Sequence, residues 1–244
     1  MRITDINLNI GSRDNNKQVV GINQLLDIMQ EYHISHGVCY NTYAKLDPKE
    51  GNSAMAQLSM QTGGKIGVCA VLDPVLGADN LPGEGDLKER LKQFAPEALR
   101  IFPDEARVPF HPLYWEEILD AANALRLPLI IDGDYSKDLF ALLPDVSMQY
   151  PQVKFILLKL GFCCSRAIFP LITKRNNVYF TIEKMTDHMQ IEEICEVNGC
   201  GKLLFGSGYP ARPHAGTLGL ALYADISTED RDRILFKNWE EMHV

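Results

Sequence analysis

Short runs of apolar and β-branched residues recur along the chain, separated by longer segments with helical spacing. The runs lie near residues 2–8, 36–42, 65–72, 97–102, 128–132, 152–159, 177–183 and 202–207. Their spacing of roughly 24–34 residues is the size of a βα unit. Several are continuously apolar, such as Pro128-Leu129-Ile130-Ile131 and Lys202-Leu203-Leu204-Phe205. Strands covered on both faces read this way, which favours a parallel sheet. Between the runs, Ile22, Leu25, Leu26 and Met29 fall at i, i+3, i+4 and i+7, as do Trp115, Ile118, Leu119 and Ala122, the stripe of a core-facing helix. Ser227-Thr228-Glu229-Asp230 opens a last helix toward Trp239. Eight βα units with no linker or low-complexity tract predict one (β/α)8 TIM barrel over residues 1–244; a doubly wound sheet is the alternative.

Composition narrows the reading. The chain has 244 residues, close to the typical ~250 of such a barrel. Hydrophobic residues make up 46% and charged residues 23%, too apolar for disorder. Lys and Arg number 24 against 32 Asp and Glu, a net charge of −8. No basic stripe is available for phosphates, so nucleic acid is not expected as a partner. No run approaches the ~18 apolar residues of a membrane span, so no membrane partner is expected either. Arg2 and Asp5 interrupt the N-terminus where a signal peptide needs an apolar stretch. A cytoplasmic protein is expected, and its six cysteines, which show no CxxC pair, read as free thiols.

In a barrel the chemistry gathers where the strands end. The first strand closes on Asn7 and Asn9, which by period 2 point the same way. The fourth carries Arg100, the fifth ends at Asp132, the sixth at Lys159 and the seventh at Glu183; the eighth runs into Gly206-Ser207-Gly208-Tyr209-Pro210. Arg212 and His214 follow in a loop where barrels often bind anions. Of the six histidines only His214 is expected on this face.

These segments resemble the amidohydrolase-related family of metal-dependent TIM-barrel hydrolases, in the branch of aminocarboxymuconate-semialdehyde decarboxylase. Ile3-Thr4-Asp5-Ile6-Asn7-Leu8-Asn9-Ile10-Gly11 is similar to the family's opening IDxHxHxG strand. Lys154 to Gly161 resembles its KxIxxHxGG segment, and Leu204 to Pro210 its FGSDYP segment. Val71-Leu72-Asp73-Pro74, Leu99 to Pro103 and Leu127 to Gly133 resemble the units between. The resemblance implies a divalent metal held by two His of the first strand, further His of the fifth and sixth, and an Asp of the eighth. Those places read Asn7, Asn9, Asp132, Lys159 and Gly208 here. An amide binds zinc poorly and an ammonium repels it, so neither a metal nor another cofactor is expected.

What replaces the metal admits more than one reading. Asp132 and Lys159 end neighbouring strands and can form an ion pair in its place, or the same groups can simply fill a vacated cavity as a polar plug. Lys159 with Asp132 can also serve as the acid/base pair of a metal-independent hydrolase or lyase acting on a small carbonyl or carboxylate compound. Arg100 would then anchor the substrate or pair with Asp132 or Glu183. Asn7, Asn9, Glu183, Tyr209, Arg212 and His214 would supply further contacts. Lys159 as an amine nucleophile and Cys163 as a thiolate are weaker alternatives. The competing class is a catalytically inactive barrel kept as a ligand-binding or assembly subunit. Pairing into a homodimer is expected, with Trp239 as an exposed interface aromatic.

Overall fold

The computed structural model describes residues 1–13, 16–132, 137–160, 165–198 and 200–243. Nine strands form one sheet: β1 (Thr4–Arg13), β2 (Asn16–Val20), β3 (His36–Asn41), β4 (Ile66–Val71), β5 (Ala98–Ile101), β6 (Pro128–Ile131), β7 (Lys154–Leu157), β8 (Val178–Thr181) and β9 (Leu203–Leu204). From β1 through β3 to β9 each strand pairs in parallel with the next. Backbone bonds from Ile6 N to Phe205 O at 3.1 Å, Gly208 N to Asn7 O at 3.0 Å and Asn9 N to Tyr209 O at 3.0 Å join the last strand to the first. The eight parallel strands therefore close into the expected (β/α)8 barrel.

Among the described residues eight helices of at least eight residues cover it: α1 (Ile22–Glu31), α2 (Pro48–Met60), α3 (Leu87–Phe94), α4 (Pro112–Leu125), α5 (Lys137–Gln149), α6 (Ser165–Lys174), α7 (Gln190–Asn198) and α8 (His214–Tyr223). Local chemistry sets several of their starts. Asp47 accepts from Glu50 N ahead of Pro48 in α2, and Asp86 and Glu89 form a reciprocal capping box on α3. On α1 and α4 the predicted stripes turn inward, burying Leu25 and Met29, then Trp115, Ile118, Leu119 and Ala122.

Alternation along the strands splits the apolar residues into two layers. Ile3, Leu99, Leu129, Phe155, Phe180 and Leu203 pack outward under the helices. Val38, Val71, Ala98, Ile130, Ile156 and Leu204 fill the barrel, so its interior is a packed core. Trp239, from the closing helical segment of residues 228–241, and Met242, just past it, belong to this inner cluster. Trp239 is 4% exposed. It closes the barrel rather than offering an interface, because the inner strands leave an apolar floor that a large ring covers.

Two further expectations need correction. Residues 11–13 and 16–20 form an antiparallel arm, β1 pairing with β2 through Gly11 and Val20, where the sequence reading placed no strand. Cys195 and Cys200 are joined by a disulfide across the end of α7, while Cys39 and Cys69 are free and buried. A search for CxxC misses this wider spacing, and the bridge removes the argument for a reducing compartment drawn from cysteine usage. Cys163 and Cys164 lie outside the described residues. Among the described residues no helix is long and apolar enough to cross a membrane.

Candidate active site

The strand ends bring five polar side chains into one hydrogen-bonded chain across the barrel mouth. It begins at Lys159, just beyond β7, whose Nζ donates to Asp132 Oδ1 at 2.6 Å. Asp132, just beyond β6, takes Arg100 Nη2 on its other oxygen. Arg100 Nη1 donates to Asn7 Oδ1 at 2.9 Å, and Asn7 Nδ2 donates to Glu183 Oε2 at 2.7 Å. Arg100, Asn7, Glu183 and Asp132 are all buried; Lys159, with its side chain 33% exposed, is the end that meets solvent. The Arg100 guanidinium carbon also lies 4.3 Å from the Tyr40 ring centre and 5.2 Å from that of Phe102, packing that suits a desolvated guanidinium.

An irregularity in β1 makes this chain possible. The register with β3 shifts between Asp5 and Leu8. Asp5 Oδ1 accepts the N–H of Asn7 at 3.0 Å and of Ser207 at 2.9 Å. Ile6 therefore faces the inner cluster while the Asn7 side chain reaches Arg100 and Glu183. Asn9 does not follow Asn7. Its Nδ2 donates to Tyr209 O at 3.2 Å along the seam between first and last strands, because the shift breaks simple alternation. Gly208 matters for the space it leaves: at φ +75°, a Cβ there would sit 2.7 Å from Glu183 Oε2.

Burial and charge set the protonation states. Burial alone would push the Asp132 carboxyl up, but the Arg100 and Lys159 cations outweigh it and hold the group down at about 2. Burial dominates at Glu183 and pushes it up to about 7, against the opposing Asn7 hydrogen bond. Its Oε1 has no hydrogen-bond partner among the described residues. Two carboxyl groups in one mouth are thus driven apart, one fixed as the anion and one poised to exchange a proton.

Other predicted contacts lie elsewhere. His214 is 1% exposed, with Nε2 3.2 Å from Asp5 Oδ2 and its ring between Tyr32 and Tyr209, at 5.3 and 4.9 Å between centroids. It is buried where α8 begins, because the flanking tyrosine rings and Asp5 give the imidazole a packed, charged niche. The Tyr209 ring is stacked on it. Arg212 is exposed and reaches the Glu183 carbonyl oxygen at 3.4 Å. Arg100 already gives its two terminal nitrogens to Asp132 and Asn7. Sequence reasoning missed Asp5; a carboxylate set among Ile3, Ile6, Leu8 and Ile10 of the opening strand is the signal that could have found it.

Beside the charge chain a cavity of about 680 Å³ opens among the ends of β1, β3, β4 and β5. Phe102 lines it and touches Arg100, linking cavity to chain.

The amidohydrolase family model matches residues 73–242. The chain belongs to the amidohydrolase family. Solved structures with the same fold include 5-carboxyvanillate decarboxylase from Sphingomonas paucimobilis, at 12% identity and a TM-score of 0.74 over 99% of this chain and 98% of that one. A dihydroxybenzoic acid decarboxylase from Polaromonas, bound to manganese and the inhibitor 2-nitroresorcinol, is 13% identical with a TM-score of 0.74, covering 98% and 96%. A probable 2-pyrone-4,6-dicarboxylic acid hydrolase from Acinetobacter baumannii, with citric acid bound, is 14% identical with a TM-score of 0.73 over 99% of each chain. At these identities the likeness is one of fold. No curated protein matches the sequence.

Proposed function

We propose that this amidohydrolase-family barrel carries out hydrolase or lyase chemistry on a small carbonyl or carboxylate compound without a divalent metal. One observation carries the reading: the Lys159 ammonium stands 2.6 Å from Asp132, among the strand ends where the family resemblance places metal ligands.

The donor set does not fit a metal. Asp132 spends both oxygens on Arg100 and Lys159, and Asn7 spends its amide on Arg100 and Glu183. Asn9 donates its amide nitrogen to Tyr209 O, and Gly208 has no side chain. A fixed ammonium beside the one carboxylate repels a divalent cation. Among the described residues no three His, Cys, Asp or Glu side chains converge on a common point.

The roles follow from charge and access. Lys159 presents a cation to the mouth and binds the substrate carboxylate or polarises its carbonyl oxygen. Asp132 and Arg100 form a fixed frame; an acid held at about 2 is too weak a base to take a proton near neutrality. Glu183, pushed up to about 7, gives or takes the proton. The expected acid/base pair of Lys159 and Asp132 is thereby reassigned to Lys159 as anchor and Glu183 as proton carrier.

The test is a turnover screen of small carboxylates and carbonyl compounds with chelator-treated protein. The account expects activity that survives chelation and falls on Lys159→Met and on Glu183→Gln. Activity lost on chelation and restored by manganese overturns it. Binding without turnover assigns the mouth to ligand binding instead.

A further inference from the structure

We infer that the cavity beside the charge chain takes the ammonium end of a small zwitterion, an ω-amino acid type of compound whose carboxylate rests on Lys159. The inference builds on the anchoring role given to Lys159 above.

The cavity, about 680 Å³, is lined by three charged side chains, Lys45, Asp73 and Glu105. One cation against two carboxylates leaves the lining net negative. The cation is already engaged: Lys45 Nζ lies 2.7 Å from Glu105 Oε1 and 4.6 Å from the Phe102 ring centre. Asp73 has no cationic partner among the ion pairs of the described residues. One of its oxygens, Oδ1, accepts the N–H of Val75 at 2.8 Å.

The Asp73 backbone is held in place by two buried asparagines, and its carboxylate by the Val75 N–H. Asn80 Oδ1 accepts the Asp73 N–H at 2.6 Å, and Asn80 Nδ2 donates back to Asp73 O at 2.8 Å. Asn52 Nδ2 in turn donates to Asn80 O at 3.0 Å and to Val71 O at 2.8 Å, while its Oδ1 accepts the Val71 N–H. Asn52 and Asn80 are 1% and 0% exposed. A preorganised carboxylate on a cavity wall favours a cationic group and disfavours a second anion. Across the mouth the sign reverses at Lys159. A ligand complementary to both ends carries a carboxylate and an ammonium, with an apolar body between them that passes Phe102; its length is what the chain-length series reads.

The test compares affinities, by calorimetry on the intact protein, for ω-amino acids, n-alkanoates and α,ω-dicarboxylates of matched chain length. The expected result is one amino acid length that binds roughly tenfold or more tightly than its alkanoate, with the diacid weakest. Asp73→Asn, which keeps the acceptor for Val75, should erase the preference and leave alkanoate affinity unchanged. Equal binding of amino acid and alkanoate, tightest binding by the diacid, or no binding across the series overturns the inference. Lys159→Met separates the two claims. If it leaves alkanoate affinity intact, the anchoring role of Lys159 fails; if it abolishes that affinity while wild type shows no amino preference, only the zwitterion inference fails.

Discussion

Glu183 offers a prediction that can be worked through from one buried group. Its carboxyl is 3% exposed and its pKa is raised from 4.5 to about 7 by burial. In the unfolded chain it ionises near its ordinary value; in the folded chain it stays protonated until near neutrality. A group with a raised folded pKa contributes stability that is full below the unfolded value and lost as pH rises through the folded one. Two and a half pH units at 1.36 kcal/mol each correspond to about 3 kcal/mol. Wild type should lose about that much stability from this group between pH ~4.5 and ~7, with little further loss above. Glu183→Gln retains an acceptor for Asn7 but has no proton to lose. Urea unfolding of both proteins from pH 5 to 8 should give curves that separate by up to about 3 kcal/mol in favour of the variant at the alkaline end. A carbon-13 carboxyl titration in wild type should place the midpoint near 7. Parallel stability curves, or a midpoint at the ordinary value, would refute the claim that Glu183 holds an exchangeable proton.

Three further substitutions follow, two of them in the frame around Glu183. Asp132→Ala strands the Arg100 charge in the interior and should cost roughly 3–5 kcal/mol in chemical denaturation at neutral pH. Because the Asp132 pKa is depressed from 3.8 to about 2, its contribution is present above the first value and lost as pH falls through the second, so the gap to wild type should narrow in acid. Gly208→Ala combines a positive φ with a Cβ 2.7 Å from Glu183 Oε2, and should cost roughly 1–3 kcal/mol. Gly216→Ala, in α8 with open space around its Cβ, should instead be neutral or stabilise by up to about 1 kcal/mol.

The fold was legible because barrel strands are covered on both faces, so that several read as nearly continuous apolar runs at the spacing of βα units. Pro128–Ile131 and Lys154–Leu157 lie inside the predicted runs at 128–132 and 152–159. The β2 arm was not legible, since a polar rim strand carries no such run. At the mouth, period 2 and strand order located Asn7, Arg100, Asp132, Lys159 and Glu183. Strand order also gave the Asp132–Lys159 pair and offered Arg100 to Asp132, and both pairs form; that Asn7 joins Arg100 to Glu183 depends on a register shift in β1 and on the Asp5 contacts that accompany it, neither of which local pattern encodes. His214 and Trp239 were misplaced for a related reason. Sequence places a residue after a strand or near a terminus, but only packing decides whether its ring turns to solvent or under a helix.

The central claim is that the Lys159 ammonium stands where the family's metal would be held. It is tested most directly by following the Asp132 side-chain carboxyl carbon by NMR while zinc or manganese is added to the intact protein. The account predicts a signal that titrates near 2 with or without a stoichiometric amount of either metal. A shift or broadening of that signal at one metal per chain, reversed by a chelator, would contradict it.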